Sequence, residues 1–370
     1  MSEGRIPIMF DSFSYSYAEA RDKFLAAARD AEAHIHSYGR DDLKGKDGER
    51  LVCDVAVLGA DDAERAAIII TGTHGAEGYC ASAILHRWLE SRAADLDLKD
   101  LKIVLVHAIN PWAFSHKTRA TENNVDLNRN FLPADSTYGS QNPSYDKLVP
   151  FLHADRLHAR DELAAHLAYK SFLDKHGWHI ENEAWAGQGH RPDGICYTGH
   201  EPEWANRIFR GIVNEHLGAT KTIGFIDWHT CVGRFGEIVY LIFDEEGTPE
   251  HKAAAGWWSR GEGDRHAFNA GTVPRYEGLL CKAIRQELPA SRIAGAVIEF
   301  GTVDEYALFR ADRLDRWLRS EGRDDPDHDL LREDYMNVCC PRDITWRRHV
   351  LTEGPAVMDR LIDGVLAWRE

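Results

Sequence analysis

Residues 72–78 have the sequence G-T-H-G-A-E-G, which places His74 and Glu77 three positions apart in a glycine-rich turn. The turn follows a strongly apolar stretch, and open α/β sheets bind their ligands just beyond such strand ends. A catalytic zinc takes three protein ligands from His, Glu, Asp or Cys and leaves one position for water. The H-x-x-E spacing alone is weak evidence for a metal site, because about one such pair is expected by chance in this composition. His200 and Glu203 form a second pair with the same spacing. Its place after a buried strand favours the first pair as metal ligands.

A third metal ligand has to come from a neighbouring strand end. Residues 225–230, F-I-D-W-H-T, place His229 directly after an apolar run. The alternative is a buried structural histidine held by hydrogen bonds, which is the commoner use of an isolated His. The sequence has no H-E-x-x-H, which sets aside the thermolysin-like zinc proteases.

Two further features, a carboxylate and a polar segment, are candidates for catalysis and substrate binding. Glu299 ends the apolar run at residues 296–300, where burial is costly unless the carboxylate is paired or takes part in chemistry. We interpret it as a general base beside a metal, with a salt-bridged structural Glu as the open alternative. Residues 110–131 follow another apolar run and are rich in Asn, with two Arg, a residue type suited to bidentate carboxylate binding. A solvated polar loop is the alternative for that segment.

Composition limits the function classes. The 370-residue chain has a formal net charge of -16 and no basic cluster, which argues against nucleic acid and anionic membranes as partners. Its seven cysteines are odd in number and scattered without C-x-x-C spacing, which indicates reduced thiols. Neither a leader peptide nor an apolar run of membrane-spanning length is recognisable, so we expect a cytoplasmic protein.

The elements that must position these residues alternate between strands and helices, which predicts an α/β fold with a largely buried sheet. Strands are predicted at residues 51–58, 66–71, 102–109, 222–227, 237–243 and 295–300. Helices are predicted at residues 17–38, 79–92, 155–177, 203–217, 250–259, 278–288, 303–320 and 355–369. Residues 133–150 and 187–202 are rich in turn-forming residues and are predicted to be loops.

We predict one catalytic domain over residues 1–370, because the candidate site residues are spread from position 74 to position 299. Residues 133–202 are interpreted as an insertion of loops and a helix, and a helical C-terminal extension begins near residue 303. We expect the loop at residues 187–197 to cover the site and limit substrate length.

The order of the motifs resembles that of the zinc metallocarboxypeptidase family related to carboxypeptidase A. H-x-x-E is followed by K-T-R, D-x-N-R-N, a strand-end His and a late strand-end Glu. G-T-H-G-x-E-G, N-P-x-x-F and D-L-N-R-N-F are similar to a little-characterised bacterial branch described as a domain of unknown function. The resemblance covers about residues 50–305. It implies a carboxypeptidase-like single domain with a central mixed sheet of the eight-stranded type, flanked by helices.

The resemblance also implies roles for individual residues. His74, Glu77 and His229 would bind zinc, and Asp126 would fix the ring of His74. Glu299 would act as general base. Four further residues would handle the substrate: Arg119 polarising the scissile carbonyl, Asn128 and Arg129 binding a free carboxylate, and Tyr276 contributing to substrate binding.

Together these observations predict a zinc-dependent hydrolase, a metallopeptidase of the carboxypeptidase type. Its substrate would be a small peptide that loses its C-terminal residue, or an N-acyl amino acid. One alternative is a small-molecule deacylase similar to succinylglutamate desuccinylase and aspartoacylase. Another is a non-catalytic module that binds carboxylates, and Glu299 argues against it, because a binding module has no need for a base beside the metal.

Overall fold

A computed structural model describes residues 9–93, 96–259 and 276–368. Within these ranges seven strands form one mixed sheet, with the strand order β1-β2-β4-β3-β5-β7-β6. The strands are β1 His34–Lys44, β2 Arg50–Gly59, β3 Arg65–Ile70, β4 Lys102–His107, β5 Thr222–Thr230, β6 Ile238–Leu241 and β7 Arg292–Phe300.

Four neighbouring strands of the sheet are parallel. β3 pairs in parallel with β4 and β5, and β5 pairs in parallel with β7. On one side of these four strands, β2 pairs antiparallel with β4 and β1 pairs antiparallel with β2. On the other side, β6 pairs antiparallel with β7. The carboxyl ends of β3, β4, β5 and β7 therefore meet at one edge, which is the edge that open α/β sheets use for ligands.

The helices of the described residues cover both faces of this sheet. They begin with a short 3-10 turn at Met9–Ser12 and continue as α1 Tyr17–Asp30, α2 Gly78–Ser91, α3 Pro111–Ser115, α4 Leu127–Asn130, α5 Pro143–Leu152, α6 Ala159–His176, α7 His179–Trp185, α8 Trp204–Leu217, α9 Pro249–Trp258, α10 Leu280–Glu287, α11 Glu305–Leu318, α12 His328–Cys339 and α13 Ile344–Ala367. None of these helices is long and apolar enough to cross a membrane.

Each face of the sheet packs against its own hydrophobic core, because alternate residues of a strand point to opposite faces. On β3, Ile69 belongs to the core beneath α1, α2, α9 and α13, whereas Ile68 and Ile70 belong to the core beneath α8 and α10. α13 lies close against β5, where Gly224 leaves room for Leu361. Both faces are therefore covered, as a sheet with fully apolar central strands requires.

The expected α/β class and the mixed, buried sheet are confirmed. The described residues contribute seven strands, whereas the resemblance implied a sheet of the eight-stranded type. Ser16 caps α1, because its Oγ accepts a hydrogen bond from the backbone N–H of Glu19.

Three expectations for local structure were wrong. The helix predicted over residues 17–38 ends at Asp30, and the edge strand β1 begins at His34. β1 has no apolar alternation, so its pairing with β2 determines its structure rather than its own pattern. Residues 133–150 are not entirely loop, because α5 begins at Pro143 with Asn142 as its N-cap. The C-terminal helix begins at Ile344 instead of residue 355, with Pro355 inside it.

Helices α5, α6 and α7 form a third hydrophobic core, to which Phe309 of α11 contributes. A buried ion pair also joins α6 to α11: Arg313 Nε lies 2.8 Å from Glu162 Oε2, and Arg313 Nη2 lies 2.9 Å from Glu162 Oε1. Arg313 Nη1 donates to the carbonyl oxygen of Phe151 at the end of α5. Helices α5, α6 and α7 are therefore fixed to α11.

We predict that Arg313→Met lowers the free energy of unfolding by about 3–5 kcal/mol, because it leaves the buried carboxylate of Glu162 unpaired. The double variant Glu162→Leu/Arg313→Met should regain most of that loss, since it removes both charges together. Denaturant unfolding followed by circular dichroism measures both. A single variant as stable as the wild type, or a double variant less stable than the single one, would contradict this account.

Candidate metal and substrate site

The structure brings His74, Glu77 and His229 together at the carboxyl edge of the sheet. Nδ1 of His74 lies 2.8 Å from Glu77 Oε1, and Nδ1 of His229 lies 2.9 Å from Glu77 Oε2. All three side chains are buried. One ligand atom of each residue lies within 4.8 Å of the others. The three predicted metal ligands therefore converge on one point from two strand ends.

The glycines of the first ligand loop allow its close approach to the polypeptide that follows β4. Gly72 has a φ of +73°, a region that favours glycine. A Cβ atom at Gly75 would lie 2.0 Å from the backbone carbon of Ala113 in α3. Any side chain at position 75 would thus displace the loop that presents His74 and Glu77.

A carboxylate supports each imidazole on the side away from Glu77. Nε2 of His74 lies 3.0 Å from Asp126 Oδ1, as expected. Nε2 of His229 lies 3.1 Å from Asp227 Oδ2, and the other oxygen of Asp227 accepts a hydrogen bond from Thr73 Oγ1 at 2.8 Å. The hydrogen bond to Asp126 favours a proton on Nε2 of His74 and leaves the Nδ1 lone pair for a metal, and the negative charge of Asp227 acts on His229 in the same direction. Sequence reasoning missed Asp227, although its spacing of two from His229 places both on one face of β5.

The charges of the buried groups shift one another's pKa values. Burial opposes ionisation of Glu77, but the adjoining rings of His74 and His229 hold its pKa well below the usual range. Burial likewise favours a neutral His229, yet Asp227 and Glu77 hold the pKa of this histidine well above its usual value. The buried carboxylates of this cluster thus favour positive charge at this point, and a bound cation would supply such charge.

The residues present fit zinc. Two imidazole nitrogens and one carboxylate are a common protein ligand set for catalytic zinc. Asp126 supplies the outer hydrogen-bond partner that such a histidine generally has, and the carboxylate of Asp227 lies close to His229. The donor set and its orientation thus agree with the expected cofactor.

Glu299 lies beside this cluster on the neighbouring strand. It pairs with His229 in the parallel register of β5 and β7, and its Oε2 accepts a hydrogen bond from the backbone N–H of Val232 at 3.3 Å. Burial raises the pKa of Glu299 to about 8, although nearby His229 acts in the opposite direction. The carboxyl group lines the same cavity as the metal ligands.

Arg119 and Asp126 form a charged pair next to the ligands. Nε and Nη2 of Arg119 donate to Asp126 Oδ2 at 3.1 and 3.0 Å, and Nη1 donates to Glu77 Oε1 at 3.3 Å. Burial alone would raise the pKa of Asp126, but Arg119 and Arg129 hold this pKa well below its usual range. The Arg119 side chain is 19% exposed against 2–3% for its two partners, so it is the member that reaches the cavity surface.

The three residues expected to bind substrate also line the cavity. Asn128 Oδ1 accepts a hydrogen bond from the backbone N–H of Leu280 at 2.8 Å, and its Nδ2 lies 3.3 Å from His229 Nε2. The Arg129 guanidinium lies 4.2 Å from the centre of the Tyr276 ring, a cation–π contact. Nε and Nη1 of Arg129 donate to the carbonyl oxygens of Trp185 and Asn128 at 2.9 and 3.0 Å. Arg129 is therefore oriented by α7 as well as by Tyr276.

The cavity has a volume of about 260 Å³ and two contrasting walls. One wall is apolar and consists of Leu241, Phe243, Leu279 and Val297. The other comes from α6, α7 and α11 and includes His166, Tyr169, Glu181, Trp185, Phe309 and Asp312. Burial raises the pKa of Asp312 to about 7. Sequence reasoning identified none of this second wall, because its residues lie on helices whose spacing indicates only packing.

The loop at residues 187–202 lies elsewhere than expected. These residues are all described and none of them lines the cavity. The loop instead supports the ligand loops, since the carbonyl oxygen of Tyr197 accepts a hydrogen bond from the backbone N–H of Asp126 at 2.9 Å. Asn130 fixes its end by donating to the carbonyl oxygens of Thr198 and Glu201, each at 2.9 Å. The helices α6, α7 and α11 take the place expected for this loop.

The fold and the site together define an α/β protein with a buried His/Glu/His ligand set at the carboxyl edge of a mixed sheet. The chain belongs to the family described as protein of unknown function DUF2817, whose model matches residues 13–353. This confirms the branch to which the motifs were assigned and extends the match beyond residues 50–305. No curated protein matches the sequence.

Solved structures with similar folds include two described as carboxypeptidases. Carboxypeptidase A from Helicoverpa armigera is 12% identical with a TM-score of 0.47, over 88% of this chain and 74% of that one. A putative carboxypeptidase from Burkholderia mallei is 13% identical with a TM-score of 0.47, over 96% and 70% of the two chains. A succinylglutamate desuccinylase from Silicibacter is 14% identical with a TM-score of 0.37, over 77% and 66%.

We predict that His74→Ala abolishes tight zinc binding at this site, and that Asp227→Asn and Asp126→Asn each weaken it by roughly 10–100-fold. The amides keep the shape of the carboxylates but not the charge that orients the imidazole. Chelator competition, with zinc measured by mass spectrometry, gives the affinities. Asp359→Asn is the matched control, since this carboxylate accepts a hydrogen bond from Trp88 away from the cavity. Full zinc retention in His74→Ala would exclude the ligand assignment.

Proposed function

We propose that this protein is a zinc-dependent hydrolase that cleaves an amide bond next to a free carboxylate. The observation that carries the proposal is the combination of one buried ligand set, one buried carboxyl group and one oriented arginine in a single cavity. His74, Glu77 and His229 would hold the metal, Glu299 would act as base and Arg129 would recognise the substrate.

The proposed chemistry assigns the proton transfers to Glu299. Zinc bound at this site would polarise a carbonyl group and make water nucleophilic at neutral pH. A nearby cation also favours the ionised form of Glu299, whose pKa burial otherwise raises. Glu299 then accepts a proton from the attacking water and passes it to the nitrogen of the leaving group. Its backbone partner, the N–H of Val232, holds one oxygen in place.

Arg119 is suited to stabilise the charge that develops on the scissile carbonyl oxygen. Asp126 and Glu77 fix its guanidinium through three donor nitrogens, so little reorganisation is needed during the reaction. Its partial exposure leaves it accessible from the cavity. Asp126 would thus serve both His74 and Arg119.

Arg129, Asn128 and Tyr276 are suited to bind the substrate carboxylate. The guanidinium is held by two carbonyl oxygens and the Tyr276 ring, which reduces the entropy lost on binding. The neighbouring apolar wall, which includes Leu241 and Phe243, would accept the side chain next to that carboxylate. These features favour hydrolysis of a C-terminal residue or of an N-acyl amino acid.

The size of the cavity supports a small substrate. Its volume of about 260 Å³ is at the lower limit of typical ligand sites, which measure roughly 300–1,000 Å³. This favours a short peptide or an N-acyl amino acid over a long chain, and it keeps the small-molecule deacylase as a second candidate. A non-catalytic carboxylate binder is less consistent with the buried carboxyl group of Glu299 beside the ligand set.

We predict that Glu299→Gln keeps zinc but lowers kcat by about 10²–10⁴-fold, as expected when a general base is removed. Metal content and steady-state hydrolysis of an N-acyl amino acid and a dipeptide are measured on the same preparation. Glu246→Gln, at an exposed position, is the control. Unchanged turnover with zinc present would remove Glu299 from the mechanism.

We predict that Arg129→Lys reduces the preference for a free acid over its amide by about tenfold or more. Lysine keeps the charge but loses the planar fork, and each charge-assisted hydrogen bond contributes roughly 1.5–3 kcal/mol. The ratio of kcat/KM for one acid and its amide is compared in the wild type, in Arg129→Lys and in the exposed control Arg156→Lys. If the wild type shows no preference, or if Arg129→Lys retains it, the carboxylate-binding role fails.

A further inference from the structure

A second group of metal-binding side chains lies at the edge of the sheet. His36 belongs to the edge strand β1, and Glu215 and His216 belong to the last turn of α8. One ligand atom from each lies within 4.8 Å of the others. None of the three lines the cavity that holds the catalytic candidates.

The distances in this group suit a metal better than direct hydrogen bonds. Glu215 Oε1 lies 3.6 Å from His36 Nδ1 and 4.0 Å from His216 Nε2. Both distances exceed the range of about 2.7–3.2 Å for a hydrogen bond to nitrogen. Bonds of about 2.0–2.2 Å in tetrahedral zinc sites place ligand atoms roughly 3.4 Å apart. Small side-chain shifts would therefore bring the three atoms to a common cation.

Tyr38 orients the carboxylate of this group. It lies two residues beyond His36, on the same face of β1, and its hydroxyl donates to Glu215 Oε2 at 2.7 Å. The other carboxylate oxygen, Oε1, is thus the one that faces both imidazoles. The Tyr38 oxygen also lies 2.9 Å from His216 Nε2, and a metal at that nitrogen would replace this contact.

The surroundings leave space for an ion. A hollow of about 400 Å³ is lined by these three residues together with His34, Val57, Asp61 and Lys102. The ammonium group of Lys102 is directed to the carbonyl oxygens of Asp61 and His216, at 2.5 and 3.2 Å. The side chain of His216 is buried, whereas those of His36 and Glu215 are about half exposed. Exchange with solvent is therefore possible without unfolding.

We propose that His36, Glu215 and His216 form a second divalent-metal site, distinct from the catalytic one. Two imidazoles and one carboxylate suit zinc and neighbouring transition metals, whereas magnesium and calcium prefer oxygen ligands alone. An ion there joins the edge strand to the end of α8. This proposal does not depend on the proposed hydrolase activity.

Equilibrium dialysis of the full-length protein against Zn²⁺, with bound zinc counted by mass spectrometry, tests the second site. The His74→Ala background is used, so that binding at the first ligand set does not enter the count. We expect one equivalent in that background, and at least tenfold weaker binding when His36→Gln, Glu215→Gln or His216→Gln is added. His328→Gln is the control. This partly exposed histidine lies 3.3 Å from Asp329 Oδ1, and among the described residues it belongs to no group of potential metal ligands.

Three outcomes would overturn the second site. They are no zinc uptake in the His74→Ala background, uptake that survives both His36→Gln and His216→Gln, and uptake lost equally in His328→Gln. Since His36 and Glu215 are about half exposed, their variants are expected to fold, and circular dichroism checks this. Hydrolysis by His36→Gln in the otherwise wild-type chain should be unchanged. Failure of the hydrolase proposal would leave the zinc counts in the His74→Ala background unaffected.

Discussion

Several ionisable groups are buried together at the carboxyl edge of the sheet, and their removal from water is costly unless each group is paired. The carboxyl groups are those of Glu77, Asp126, Asp227 and Glu299. The guanidinium groups of Arg119 and Arg129 offset part of this negative charge. A divalent cation would complete the balance. The same interactions that stabilise the buried charges in the folded protein would therefore also favour the binding of a metal.

The central part of the fold could be predicted from the sequence because its strands are continuously apolar. β3 and β4 are buried along nearly their whole length, and such runs indicate central strands of a covered sheet. β1 could not be predicted in this way, since one side of it faces solvent and its sequence lacks alternation. The start of α13 was missed because Pro355 suggests a helix boundary, whereas here it lies within a longer helix.

The candidate ligands could be predicted because parallel strands bring their carboxyl ends to one edge. His74 and Glu77 follow β3, whereas His229 and Glu299 lie at the carboxyl ends of β5 and β7, so their closeness is a consequence of topology. Asp227 could have been predicted as a neighbour of His229, because it lies two residues before this histidine on the same strand. No sequence pattern indicates that Asp312 and Tyr169 line the cavity, since only the packing of α6 against α11 brings those residues there. Local sequence therefore predicted which residues meet at the strand ends but not those of the opposite wall.

Asp227 and His229 lie on one strand with the same parity, and His229 is in register with Glu299 on the next. A β5 strand that formed one residue out of register would turn both side chains to the opposite face at once. It would remove the candidate ligand His229 and the neighbouring carboxylate of Asp227 together, and would leave only His74 and Glu77 of the candidate ligand set. Under the proposed metal assignment, binding of the ion would therefore favour chains in which β5 has paired in the correct register.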